Sequence, residues 1–349
     1  MLYVFGIALC ALSLAVNFLL LRFLTTLGTK DQGSKVELRW SSQTKPTIGG
    51  ISFFVGLLVA LLGGLALADI VYLGESERIL LLAGAIAAFL MGLADDAFNT
   101  KPVLKFSVQL ACGLAVYAAG AGFALTTTEP VNALLTVFWV VALMNSLNML
   151  DNMDGITAGV VAVMLGGLWY LLPESALSYL VFGMAATLLG FLHFNWSPSA
   201  IFMGDSGSQL LGFLVAALTL LIWNNGIDLP EVSVQRTLLS IVLFTFTPLC
   251  DTAFVSWNRI AHKRSPFVGG RDHTTHNLSY LGWPERFVGF FFVLWTMANV
   301  AASIWLRMYE GSLPLRWYIG IVGYMLLTFI SFLLLSRKNL KNKKYTYSL

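Results

Sequence analysis

Charge is what this chain of 349 residues has least of. Asp, Glu, Lys and Arg make up 11% of it, against about 25% in a soluble globular domain. That shortage excludes a soluble enzyme, and nothing in the charge pattern suggests a nucleic-acid partner. Cysteine is scarce too: Cys10, Cys112 and Cys250 all lie in apolar runs with no pairing or metal-ligand spacing, which excludes a disulfide framework. No basic residue precedes the first hydrophobic run, so it reads as a first membrane span rather than a signal peptide. There is no clear internal repeat, low-complexity tract or interdomain linker. The expectation is one membrane domain over 1–336 with a basic tail at 337–349.

What is present is hydrophobic. Apolar residues make up 57% of the chain, and the mean hydropathy is +0.77. A membrane-spanning helix needs about 20 mostly apolar residues. Such runs fall at roughly 2–24, 48–68, 79–94, 104–124, 132–149, 156–172, 178–194, 209–224, 237–257, 287–306 and 317–336. The predicted fold is an all-α polytopic membrane protein of about eleven helices, with ten and twelve as alternatives. Lys and Arg orient it. With the N-terminus outside, the outer loops and ends hold only Arg78, Arg236, Arg307 and Arg316 of the 21 basic residues. The predicted arrangement is therefore N-terminus periplasmic and C-terminus cytoplasmic.

That orientation gathers the chemically interesting side chains on one face. A transporter more often places them at mid-membrane on broken helices, whereas an enzyme or receptor working at the membrane surface would gather them so. The first inner segment ends Thr44-Lys45-Pro46-Thr47-Ile48-Gly49-Gly50. It reads first as a turn feeding the second span; Lys45 near a phosphate or sugar is the other reading. The second holds Asp95 and Asp96, adjacent carboxylates at the end of an apolar run. Such a pair needs a cation, a proton or open water. Lys105 opens the next run, where it can snorkel to the surface or reach an anionic substrate.

The third segment places Asn145, Asn148, Asp151 and Asp154 three residues apart. On a helix each step of three drifts about 60°, so the four would wrap half the circumference rather than share a face. Asn145 and Asn148 are expected to close the fifth span, and Asp151 to Gly155 to form a turn. The fourth segment runs from Asn195 through Phe202 to Gly204-Asp205-Ser206-Gly207-Ser208. Its glycines let backbone N–H groups approach an anion, Asp205 can ligate a divalent ion, and Phe202 can stack on a base or pack against lipid. The last runs from Trp257 to Arg286 and holds three of the four histidines. His273 and His276 lack a second ligand pair for a structural zinc site and suit phosphate contact or proton transfer. Arg259, Lys263 and Arg264 read mainly as orientation signals. Asp251, inside the ninth run, pairs with a neighbouring cation on one reading and has no assigned role.

Four carboxylate sites and a basic loop on one face suit a magnesium-bound diphosphate, because magnesium takes a few carboxylates plus phosphate oxygens. From Lys45 to Leu278 the order of motifs is Pro-x-x-Gly-Gly, Asp-Asp, Asn-x-x-Asn-x-x-Asp-x-x-Asp-Gly, Phe-Met-Gly-Asp-x-Gly-Ser and a histidine-bearing loop. The chain thereby resembles the polyprenyl-phosphate N-acetylhexosamine-1-phosphate transferases, glycosyltransferase family 4.

The resemblance implies a ten- or eleven-helix enzyme of the bacterial inner membrane with a cytoplasmic active site. It would transfer a sugar-1-phosphate from a UDP-sugar to polyprenyl (undecaprenyl) phosphate, release UMP and use Mg²⁺, with Mn²⁺ as an alternative. N-acetylglucosamine is the leading sugar. The product would start a lipid-linked envelope glycan such as O-antigen, an enterobacterial-common-antigen-like polymer, teichoic acid or capsule. By resemblance, Asp95 and Asp96 handle the lipid phosphate and its proton and stand near the metal, and Asp205 ligates magnesium. Asn148, Asp151 and Asp154 lie on the nucleotide-sugar side, and Asn195 and Phe202 lie near the uracil. Lys105 contacts phosphate, and His273, His276 and Arg271 belong to the diphosphate loop. A homodimer is left open.

Two departures are visible. Asp151-Asn152-Met153-Asp154-Gly155 replaces Asp-Gly-x-Asp-Gly, and His273-Thr274-Thr275-His276 replaces His-x-His-His or three consecutive histidines. The second argues against the muramoyl-pentapeptide branch. The alternatives are an intramembrane prenyltransferase using Mg-diphosphate and, outside catalysis, a proton-coupled transporter.

Overall fold

The computed structural model describes residues 1–23, 45–71, 73–224, 232–266 and 269–342. Most of the first inner segment, and Lys343 and Lys344 of the tail, lie outside these residues. A bilayer offers backbone groups no partners, so a spanning chain must satisfy them within helices or a closed barrel. The described residues form helices and no strand. In order they are α1 (Leu2–Phe23), α2 (Gly49–Leu67), α3 (Glu75–Phe98), α4 (Pro102–Ala118), α5 (Glu129–Leu150), α6 (Ile156–Tyr170) and α7 (Ala176–Asn195). Then follow α8 (Gly204–Asn224), α9 (Val234–Phe244), α10 (Phe246–Ala261), α11 (Thr274–Ser279), α12 (Glu285–Met308) and α13 (Leu315–Lys341).

Among the described residues eight helices are long and apolar enough to cross a membrane, and nine if α9 and α10 form one broken span. α4 and α6 are shorter apolar helices. The ninth run is thus two helices meeting at 76°. Pro248 has no N–H for the Phe244 carbonyl, which accounts for the break. α13 continues to Lys341, so the first basic residues of the expected tail are helical.

α8 is the axis. Its apolar stretch is wholly buried, and it packs against α2, α3, α5 and α6. α13 is the opposite: little of it is buried, and it turns Leu315, Ile319, Leu326 and Leu327 outward, as a lipid-facing helix does. Gly92 decides how α3 meets α8. A Cβ there would lie 2.2 Å from the Asp205 carbonyl oxygen, so only glycine lets the two helices touch at this level. That contact sets the acidic end of α3 beside the start of α8. α2 joins from the other side, where the Gly49 and Gly50 N–H groups donate to the Phe202 and Met203 carbonyls at 3.0 and 2.9 Å. These bonds satisfy two of the donors a helix start leaves open.

Candidate active site

The Asp-Asp pair does not end its helix. Asp95 and Asp96 lie in the last turn of α3, which stops at Asn99 in the left-handed region (φ 51°), and Pro102 opens α4. This sharp turn folds Lys105 back over the acids. Its Nζ lies 2.8 Å from Asp205 Oδ2, 3.3 Å from Asp95 Oδ2 and 3.4 Å from Asn148 Oδ1. Lys105 thus meets carboxylates of the chain itself. The Asn148 amide donates to Asp205 Oδ1 at 3.0 Å and to the Ser208 hydroxyl at 2.9 Å. Asp95 Oδ1 accepts from the Thr100 N–H at 2.9 Å and its hydroxyl at 2.6 Å.

Asp96 has different work. Its oxygens accept the backbone N–H groups of Asp205 and Ser206, each at 3.0 Å. It thereby caps α8 from another helix, where the helix dipole favours an anion. Gly204 makes room for it at φ +71°; a Cβ there would sit 2.5 Å from Asp96 Oδ2. The two adjacent acids are thus split, one toward the cation and one into the scaffold.

A second group lies around Asp154. Its Oδ2 accepts from the Ser199 N–H at 2.9 Å and lies 3.3 Å from Lys45 Nζ, which also donates to the Ser199 hydroxyl at 3.0 Å. The same ammonium sits 5.1 Å from the centroid of the Phe202 ring. The turn reading of Lys45 therefore misses its place beside two of the expected nucleotide-sugar residues. Asn195 is buried, accepting from the Gly155 N–H at 3.1 Å and donating to the Ile201 carbonyl at 2.8 Å. It ties the Gly155 turn to the Phe202 loop. Asp151 stands half-buried just beyond α5, where the expected turn begins.

The third group is the histidine loop. His273 and His276 are buried, with ring centroids 5.5 Å apart, and Arg271 is half-buried. Burial, with His273 alongside, pushes the His276 imidazole down to about 3, so this ring stays neutral at physiological pH. Arg259, read above mainly as an orientation signal, is buried. Its guanidinium grips Asp272 at 2.9 and 2.7 Å and donates to the Pro266 carbonyl at 2.9 Å. Its place among several cations at the end of a span hid that role.

The Asn148–Asp154 segment joins all three groups. Asn148 reaches the acids, Asp154 reaches Lys45, and the Thr275 hydroxyl bonds Asn152 from the histidine loop. Asn148 projects from the last turns of α5, whereas Asn152 and Asp154 stand on the turn that follows Leu150, which lets the segment serve different sides. Asp95 and Asp205 direct one oxygen each at the same cation, the arrangement a divalent ion could share. Among the described residues no group of three or more Asp, Glu, His or Cys could hold a metal. The protein can thus offer two carboxylates, leaving the remaining positions to phosphate oxygens and water, which is how magnesium is commonly held. Asp96, expected near the metal, has both oxygens on backbone N–H groups.

The family model for glycosyl transferase family 4 matches residues 78–223, the stretch carrying Asp95, Asp96, Lys105, Asn148, Asp154 and Asp205. The chain is 31% identical over 283 residues to a phospho-N-acetylmuramoyl-pentapeptide-transferase of Deinococcus radiodurans, covering 74% of this chain and 83% of the relative. The chain belongs to glycosyl transferase family 4. A probable undecaprenyl-phosphate N-acetylglucosaminyl 1-phosphate transferase of Bacillus subtilis is 27% identical over 308 residues, 82% of each chain. An undecaprenyl-phosphate alpha-N-acetylglucosaminyl 1-phosphate transferase of Yersinia pestis is 31% identical over 274 residues, 72% of this chain and 70% of the relative. This family membership makes the chain a multi-pass membrane enzyme that transfers a phosphosugar. Its histidine loop lies beyond the matched 78–223 stretch.

Proposed function

We propose that the protein transfers a sugar-1-phosphate, with N-acetylglucosamine the leading sugar, from a UDP-sugar to polyprenyl phosphate and releases UMP. The observation that carries this reading is the convergence of Asp95, Asp205, Lys105 and Asn148 at the α3–α8 contact. Relatives named as N-acetylglucosaminyl 1-phosphate transferases match 72% or more of the chain. In this reading a non-bridging oxygen of the lipid phosphate attacks the β-phosphorus of the UDP-sugar. The bond from that phosphorus to the oxygen bridging the α-phosphate breaks, and UMP leaves with that oxygen. The acceptor is a phosphate monoester, with a second pKa of about 6, so near neutral pH it is largely a dianion. It needs orientation and charge neutralisation more than a strong base.

Lys105 supplies a positive charge for phosphoryl oxygens, and Asp95 orients the incoming lipid phosphate. Asp205 and Asp95 would hold Mg²⁺, which when bound neutralises developing charge on the diphosphate. Phe202 offers its ring to the uracil with Lys45 alongside, Asp151 and Asp154 serve the nucleotide-sugar side, and His273, His276 and Arg271 line the diphosphate side. Eleven spans, counting α4, α6 and the broken pair, with the N-terminus periplasmic, put these groups at the cytoplasmic face of the bacterial inner membrane. There the product starts a lipid-linked envelope glycan.

The test uses membranes containing the protein, polyprenyl phosphate, Mg²⁺ and a panel of UDP-sugars, with UMP measured for each. UMP release with one N-acetylhexosamine donor, dependent on the lipid, is expected. No release with any donor, or release without the lipid, contradicts the reading.

A further inference from the structure

Asp251 is fully buried in α10, and nothing above gives it a task. A carboxylate there is costly unless its oxygens are satisfied. Among the described residues its side-chain hydrogen bonds go to two consecutive residues of the histidine loop. Oδ2 lies 2.9 Å from His273 Nδ1. Oδ1 accepts the Thr274 N–H at 2.9 Å and the Thr274 hydroxyl at 2.6 Å. Thr274 opens α11, so one oxygen caps that short helix while the other holds the ring of the residue before it.

Eight residues along α10, two turns on, Arg259 grips Asp272 with two hydrogen bonds. The three consecutive residues Asp272, His273 and Thr274 are therefore fixed to one helix by buried charged contacts. Only one of those contacts touches a side chain with chemistry to offer. A carboxylate accepts, so the 2.9 Å contact keeps a proton on Nδ1. Nε2 is then the imidazole atom left for a substrate group.

We propose that Asp251 is a positioning residue that fixes the tautomer and orientation of His273 during turnover. The proposal rests on the reading of His273 as a diphosphate-side residue of the transferase. Asp251→Asn tests it with little change of shape. The carboxamide oxygen can still accept from Thr274, but its NH₂ would face Nδ1, drive the imidazole proton to Nε2 and reverse what His273 presents. Loss of a partner that orients a functional histidine typically costs 10- to 100-fold.

The experiment is a double-mutant cycle on UMP release from the full-length protein in membranes, with kcat and KM for the UDP-sugar measured separately. The variants are Asp251→Asn, His273→Gln and both together, with thermal unfolding in detergent recorded for each. A loss of about 10- to 100-fold is expected for Asp251→Asn alone, and none beyond that of His273→Gln in the double variant. A purely structural carboxylate would instead lower activity by the same factor in both backgrounds. That additive result overturns the proposal, as does Asp251→Asn turnover within about twofold of wild type. Wild-type His273→Gln turnover overturns it too while leaving the transferase reading intact, whereas absence of UMP release from the wild type fails that reading itself. Should Asp251→Asn not fold, Asp251→Glu takes its place. It keeps the charge but displaces the oxygens, and its loss should likewise vanish without His273.

Discussion

The acidic site and the histidine loop use the same pairing, a carboxylate against a cation, to opposite ends. Around Lys105 one ammonium is shared among Asp95, Asp205 and Asn148 at 2.8–3.4 Å, and the side chains of Lys105, Asp95 and Asp205 retain 18, 15 and 32% exposure. In the histidine loop Arg259 and Asp272 retain 5 and 4%, and Asp251 none. The first arrangement is partly exposed and shares one ammonium among three acceptors; on the proposed reading it exchanges partners as a metal and phosphates arrive. The second is sealed, with its charges assigned one to one. A site that is to take up a metal and phosphates must release its internal partners, whereas holding a loop against a helix needs permanent ones.

The contrast can be broken from either side. Arg259→Ala leaves Asp272 buried without its partner, and breaking a buried pair typically costs about 3–5 kcal/mol. Chemical unfolding in detergent should show a loss of that order, and an unchanged midpoint would put the Arg259–Asp272 pair among surface contacts. Lys105→Met should do the reverse. UMP release should fall about 100-fold with unfolding nearly unchanged, while less Mg²⁺ is needed for half-maximal rate because the competing ammonium is gone. A large loss of stability with an unshifted Mg²⁺ requirement would undo the exchangeable-site account.

Phe202→Ala should act more gently. An aromatic stacked on a base is worth about 1–3 kcal/mol, so KM for the UDP-sugar should rise while kcat changes little; a fall confined to kcat would place the ring elsewhere. The smallest expected effect concerns pH. His276 is pushed down to about 3 by burial and by His273, against an ordinary value of about 6.5. The unfolded loop therefore binds a proton that the folded loop refuses. The stability this lends is complete above pH 6.5 and is lost progressively as pH falls from there toward 3. Hydrogen exchange across residues 271–280 should lose protection between pH 6.5 and 5 in the wild type and less steeply in His276→Gln. Parallel pH dependences would remove His276 from the account.

Much of this site was legible as runs of residues and little of it as pairs. The adjacent acids, the three-residue spacing from Asn145 to Asp154 and the Gly-Asp-Ser-Gly-Ser stretch stood out against an apolar background. The end of α5 and the turn after it followed from the same pattern. The division of labour between Asp95 and Asp96 did not, because it depends on Gly92 letting α3 touch α8 and on Asn99 rather than the acids ending the helix. Lys45 looked like part of a turn since its partners, Asp154 and Ser199, lie 109 and 154 positions away. Arg259 looked like one cation among several flanking a span. Asp251 is a lone acid in an apolar run, and its partner 22 positions on is separated from it by a helix end and a loop. Periodicity reports which face a residue occupies, but not which neighbour meets that face.

The most direct measurement of the central claim is UMP release by Asp205→Asn across a Mg²⁺ titration, with unfolding followed in the same preparation. Asn keeps the shape of the side chain but removes the charge shared with Asp95 and Lys105, and its one oxygen can accept from Asn148 or Lys105 but not both. A fall of at least about 100- to 1,000-fold that added Mg²⁺ does not restore is expected, in a protein that unfolds like the wild type. Near-normal turnover at ordinary Mg²⁺ would contradict the central claim.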